Sequence, residues 1–242
     1  ALASAGAALQ RAMLGDAVRD LGDAPVVVVP TATLHAVPWG LLPALRRVPT
    51  SVAPSVATWL RAGAALVPRR RRVTLVVGPG LTGTAAEVMR IADGYREATV
   101  LRDGAATAEA TLRALDGAWL AHIAAHGAFR SENPLFSAIT LDDGPLTVYD
   151  LARLRRAPLR LVLSSCDSAV AGRVGDELLG MVSALVPLGT ASLLASVVPV
   201  NDAASTELMA QFHAAHQAGR SFSEALCEVR RAATRDLERG GG

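Results

Sequence analysis

The order of apolar segments along this chain predicts an α/β fold, a mostly parallel sheet with helices on both faces. Three observations carry that expectation. Short runs rich in Val and Leu, such as "PVVVVP" at 25–30 and "LRLVL" at 159–163, read as buried strands. Helix-length stretches separate these runs, which is the rhythm of strand–helix–strand units. The chain is 242 residues long, 51% hydrophobic and only 4% aromatic, so Ala, Val and Leu must build a large core.

Taken in order, residues 2–20 read as helical and the Val run, closed by Pro at both ends, as the first strand. "LHAVPWGLLPAL" is a Pro-broken connection, and a helix follows near 54–66. Then come strand 73–77, helix 84–95, strand 98–102, helix 107–115 and strand 118–124. A small hairpin follows around "AITLDDGPLTV". A short helix 147–154, strand 159–163, helix 176–186, strand 190–198 and helices 202–217 and 221–237 complete the order. Residues 180–200 are uncharged and nearly long enough to span a bilayer. Pro187 and Gly189 break that stretch in the middle, so a buried helix, a turn and a buried strand explain it better.

Charge and cysteine content exclude several classes. The formal net charge is +2, too close to balance to argue for nucleic acid. All 24 basic residues are Arg, the mark of a GC-rich and so bacterial genome. The run Pro68 to Arg72, "PRRRR", offers a small phosphate-binding patch or a solvated loop before a strand, and the loop is the favoured reading. Cys166 and Cys227 provide neither a disulfide framework nor metal-ligand spacing, which points to a reducing, cytoplasmic setting. No N-terminal signal, metal, cofactor or membrane contact is expected.

Two motifs compete for function. "VTLVVGPGLTGTAAEV" holds Gly78-x-Gly80-x-x-Gly83 between a strand and a helix, with Asp103 20 residues past Gly83. That is the form of a dinucleotide fingerprint. Pro79, however, removes one backbone N–H that could cradle a pyrophosphate, and an ordinary strand-to-helix turn is favoured. The second motif is "GAWLAHIAAHGAFRSENPLF". His122 and His126 are four apart, but on a strand they do not share a metal site, and no third ligand stands at zinc spacing. His122 reads as a hydrogen-bonded core residue, whereas His126 and Gly127 fall at the strand's C-terminal end.

Forty residues later the strand 159–163 ends in "SSCDS", which puts Cys166 in the following turn. If these two strands are adjacent and parallel, His126 and Cys166 emerge at one edge of the sheet. A nearby imidazole favours the thiolate and gives an acid for a leaving amine. The N–H groups of Gly127 and Cys166 would then hold the oxyanion.

"HIAAHGAF", "NPLFSAITL", "LVLSSCDSA", "GDELLGM" and "ASVVPVNDAASTELMAQF", in this order, resemble the CHAT family over roughly residues 25–235. These are caspase-like bacterial domains related to separase and often placed behind TPR repeats. The resemblance implies a caspase-like three-layer α/β/α sandwich, with residues 1–70 an accessory part and 71–242 the catalytic part. It also implies a His126/Cys166 dyad that cleaves peptide bonds without cofactor or metal. The partners it implies are a protein or peptide substrate and a regulatory sensor, TPR-type or other. One departure is visible: Val197-Val198 stand where the family often has Leu-Trp.

Asp202 follows the strand 190–198, and the segment resembles the separase stretch that ends in Asp. An Asp at that edge of the sheet would pair with Arg and favour cleavage after a basic residue. Asp167, beside the nucleophile, is a second candidate for this role, or it holds the turn. Asp202 could equally cap the helix that follows. The remaining classes are a dinucleotide-binding enzyme using the Gly78 loop and a non-catalytic peptide-binding module.

Overall fold

The computed structural model describes residues 2–31, 34–35, 37–81, 84–128, 134–164, 184–196 and 202–240, except for some side chains at element ends. The chain forms two compact units. One comprises residues 55–210, the other residues 1–54 together with 211–242.

The larger unit is built on five parallel strands: β3 (Val73–Val77), β4 (Ala98–Leu101), β5 (Leu120–Ala124), β9 (Arg160–Leu163) and β10 (Ser192–Ala195). Their order across the sheet is β10-β9-β5-β3-β4, and every pairing is parallel. In register, Val73 of β3 stands beside Leu120 of β5, which stands beside Arg160 of β9. Every residue of β3 and β5 is buried, as β-branched and small apolar strands between two helical layers must be. Thr74 is the polar exception within β3, and its hydroxyl donates to the Ala114 carbonyl at 2.8 Å, so no buried donor is lost.

Helices α4 (Thr84–Asp93) and α5 (Ala108–Leu115) connect β3 to β4 and β4 back to β5, and both pack on β3 and β4. The first crossover steps outward and the second steps back past β3. With both right-handed, the two helices fall on opposite faces, which makes the three layers of an α/β/α sandwich. Thr107 caps α5, its hydroxyl accepting from the Ala110 N–H at 3.2 Å.

A three-stranded antiparallel sheet follows β5. It consists of β6 (Gly127–Ala128), β7 (Ala138–Leu141) and β8 (Gly144–Thr147), in that order. The Asp142 carboxylate accepts from the Ala106 N–H at 2.9 Å, and Asp143 accepts from Ala108 at 2.8 Å. These two bonds fasten the hairpin turn to the start of α5, where exposed helical N–H groups favour acidic partners. Helix α6 (Val148–Leu151) opens on a reciprocal cap in which the Thr147 and Asp150 side chains each accept from the other's backbone N–H.

In the other unit, α1 (Leu2–Leu14) runs into a 3₁₀ turn over Gly15–Asp20, in place of one continuous helix. β1 (Val26–Val28) is only half-buried. It pairs with β2 (Thr50–Val52) in a separate two-stranded parallel ribbon, not in the central sheet. Prolines at both ends limit the Val run to three paired residues, and β2 is too short for its pattern to be seen in sequence. Trp39, Leu42, Leu45 and Val48 form this unit's buried cluster, with Leu9 and Met13 of α1 packed on it. The first residues of α7 (Asp202–Gln217) belong to the larger unit and its end to this one, as does α8 (Phe222–Gly240). Cys227 is buried on α8.

Leu161 lies in the middle of β9 at 1% exposure within the main cluster. Leu161→Ala is expected to lower stability by about 2–5 kcal/mol, read from the urea midpoint. His122 is fully buried in β5 between Leu75 and Val162, and burial lowers its pKa from 6.5 to about 4. Between those values the unfolded chain binds a proton that the folded chain does not. Stability from this residue is therefore complete above pH 6.5 and falls as the pH drops toward 4, by roughly 3 kcal/mol in all. Replacement by Asn should remove that slope, so the stability gap between wild type and His122→Asn narrows as the pH falls. Parallel pH curves would contradict it.

Candidate functional site

In an open parallel sheet, ligands bind outside the carboxyl ends of the strands where the chain reverses its direction of strand addition. Here that point lies between β3 and β5: from β3 the chain adds β4 on one side, then β5 and β9 on the other. Two of the motifs singled out in sequence meet there. β3 runs into Gly78-Pro79-Gly80 and β5 into Ala125-His126-Gly127.

Backbone bonds carry the strand register beyond the regular pairing on both sides of β5. The Gly78 N–H donates to the Ala124 carbonyl at 2.8 Å, and the Ser164 N–H of the β9 terminus donates to Ile123 at 2.9 Å. The β5 and β9 ends are thus neighbours, as the dyad hypothesis requires. Ser164 is two residues short of Cys166. Cys166 and Asp167 themselves lie outside the described residues, as do Val197, Val198 and Gly83.

His126 is exposed, one residue before β6. Its backbone is fixed, because the Thr140 N–H of β7 donates to the His126 carbonyl at 2.7 Å. That bond also determines the direction of the next amide. Gly127 stands opposite Ile139, and 126 with 140 is a bonded pair in the antiparallel ladder. Positions 127 and 139 are then a non-bonded pair, so the Gly127 N–H is turned away from β7.

Close packing explains Gly78 of the Gly-rich loop. A Cβ at Gly78 would stand 2.6 Å from the Thr140 carbonyl oxygen and 2.7 Å from the Ala125 Cβ. Gly80 has φ +79°, a left-handed conformation that disfavours side chains, and a Cβ there would lie 3.6 Å from His126 Nε2. The loop therefore passes near the His126 imidazole, with space between them that an ordinary side-chain contact would fill. Asp103, the carboxylate of the fingerprint reading, sits in a tight turn past β4 with φ 54°, its carboxylate 3.4 Å from the Arg102 guanidinium. Close packing accounts for Gly78, and backbone conformation for Gly80 and the Asp103 turn.

The two histidines of the motif divide as their positions predict. His122 is enclosed in the sheet and held neutral, and His126 is the one open to a reactant. Among the described residues no three His, Cys, Asp or Glu side chains converge as a metal would require. β10 lies beside β9, so the strand that precedes Asp202 is next to the one that precedes Cys166. Asp202 is the first residue of α7, and its side chain lies outside the description. β6, a two-residue strand, leaves no signal in the sequence, so the direction of the Gly127 amide is visible only in the structure.

Comparison with curated proteins finds no match to this chain. Comparison with family models finds one that covers residues 3–239, nearly the whole length, and it describes the domain anticipated from the His126 and Cys166 motifs. The chain belongs to the CHAT domain family, relatives of the caspase-like cysteine peptidases.

Proposed function

We propose that this chain is a cysteine endopeptidase in which Cys166 is the nucleophile and His126 the acid–base group. One observation carries the reading: the strands that lead to these residues are adjacent, parallel and in register, and end beside the point where α/β sheets bind ligands. In the reaction, the His126 imidazole takes the Cys166 thiol proton. The thiolate then adds to the scissile carbonyl, and the N–H groups of Gly127 and Cys166 hold the oxyanion. Collapse transfers the proton from His126 to the leaving amine. A water deprotonated by the same imidazole then frees the carboxyl product and the thiol.

Residues 71–242 carry this chemistry in the proposal, with 1–70 as an accessory part. Cleavage follows a basic residue held by Asp202, with Asp167 as the alternative acid. The loops around 128–136 and 167–175, whose segments "RSEN" and "DSAVAGRVGD" are small, polar and Gly-containing, are proposed to hold the dyad out of alignment until a sensor partner moves them, so the chain alone has low basal turnover. The setting is cytoplasmic. Among the described residues no helix is long and apolar enough to cross a membrane.

The test is a peptide library screened with wild type, Cys166→Ala and His126→Ala, with and without lysate fractions that supply a partner. Both variants should lose cleavage, His126→Ala by ~10²–10⁴-fold. Both should keep the wild-type melting temperature, His126 because it is exposed and Cys166 because the sequence places it in a turn past a strand end. Near wild-type cutting by His126→Ala would end the dyad. Peptide binding that survives Cys166→Ala, with no turnover by wild type, would identify a binding module.

Specificity is read from kcat/KM on paired peptides with Arg, Lys, Leu or Asp before the scissile bond. Arg should lead. Asp202→Asn should cost on the order of 2–5 kcal/mol against Arg and little against Leu. Equal losses would make Asp202 a helix cap.

A further inference from the structure

At the amino-terminal edge of the central sheet, opposite His126, three adjacent strands bring together a cationic group. Arg71 lies two residues before β3, Trp119 immediately precedes β5, and Arg160 is the first residue of β9. The register holds them in one row, with the Trp119 N–H donating to the Arg72 carbonyl at 2.9 Å. Both guanidinium groups lie against the same indole. The Arg71 Cζ is 5.3 Å and the Arg160 Cζ 5.0 Å from the Trp119 ring centroid. Tyr95 packs edge-on to that ring at 6.4 Å.

Stacking on an aromatic face favours a cation, but it leaves the in-plane N–H donors of a guanidinium unused. The buried Arg160 Nη1 has no hydrogen-bond acceptor among the described residues. Neither Arg71 nor Arg160 forms an ion pair among the described residues, although six other pairs are present. The Asp116 carboxylate is engaged by the Arg156 N–H at 2.9 Å, and the Arg72 guanidinium donates to the Asp116 backbone carbonyl at 2.6 Å. Burial first, and then the charge of Arg71, press the Arg160 pKa below its ordinary value, with Tyr95 acting the other way. Two like charges side by side, one half-buried, without an acid between them, are a costly arrangement for a folded protein to keep unless an anion completes it.

We propose that Arg71, Trp119 and Arg160 form a binding site for a phosphate-bearing anion. The forked donors of the two arginines match the oxygens of a phosphate, and the indole fixes the guanidinium planes in advance. The exposed Arg69, Arg70 and Arg72 of the same run supply an attractive field at the mouth of the site. The "PRRRR" run is then more than a solvated loop, because Arg160 and Trp119, distant in sequence, complete it.

Thermal unfolding of the whole chain in inorganic phosphate, against chloride of equal ionic strength, tests this. Phosphate at a hundredfold over its Kd should raise the wild-type Tm by roughly 5–10 °C above chloride. R160Q and R71Q should each lose that increment, and His126→Ala should keep it. Should R160Q fail to fold, R71Q, whose side chain is exposed, carries the comparison. AMP in place of phosphate separates the sources: an equal increment identifies a phosphate monoester, and none identifies the free ion. No increment over chloride in wild type, or an undiminished one in R71Q, would overturn the site.

Discussion

Everything at the candidate site depends on the lateral pairing of β3, β5 and β9. Three parallel strands in one register make their carboxyl ends neighbours and their amino ends neighbours at the same time. Strands in a sheet stand about 4.8 Å apart, so residues emerging past adjacent ends are within reach of one another however distant they are in sequence. Helices α4 and α5 are positioned by the same rule. The crossovers that keep the strands parallel must cover both faces, and that coverage is what buries every residue of β3 and β5.

Given that frame, the antiparallel sheet that follows β5 performs a second task. Its β7 strand grips the His126 carbonyl, fixes the direction of the Gly127 amide, and presses the Thr140 carbonyl against Gly78. The hairpin is in turn tied to α5 through Asp142 and Asp143. The loop carrying His126 is therefore held from the strand it leaves and from the hairpin beside it. The imidazole itself stays open to solvent. A rigid backbone beneath an exposed, titratable side chain is the arrangement that acid–base chemistry needs. His122, four residues earlier, shows the opposite case, since full burial holds the same ring neutral.

The two edges of the sheet differ in electrostatic character for a related reason. At the carboxyl edge, Gly78 lets the Thr140 carbonyl approach its backbone, and the Gly127 N–H is turned away from β7. At the amino edge, Arg71 and Arg160 crowd one indole, and neither forms an ion pair among the described residues. β5 joins the two regions directly, with Trp119 before its first residue and His126 two residues past its last.

The sequence by itself determined the α/β class, the boundaries of most strands and helices in the larger unit, and membership of a family through motifs around His126 and Cys166. Those features are local: apolar runs, Pro and Gly punctuation, and short motifs whose residues are contiguous. What the tertiary structure decided is non-local. It took the Val run of β1 out of the central sheet and paired it with β2. It explained Gly78 by the proximity of Thr140 and Ala125, which no spacing within the loop could indicate. It also joined Arg71, Trp119 and Arg160, which 89 positions of chain separate end to end. The physical reason is that a sequence pattern records which face of an element is apolar, while the neighbour that fills it is chosen by strand order and crossover direction.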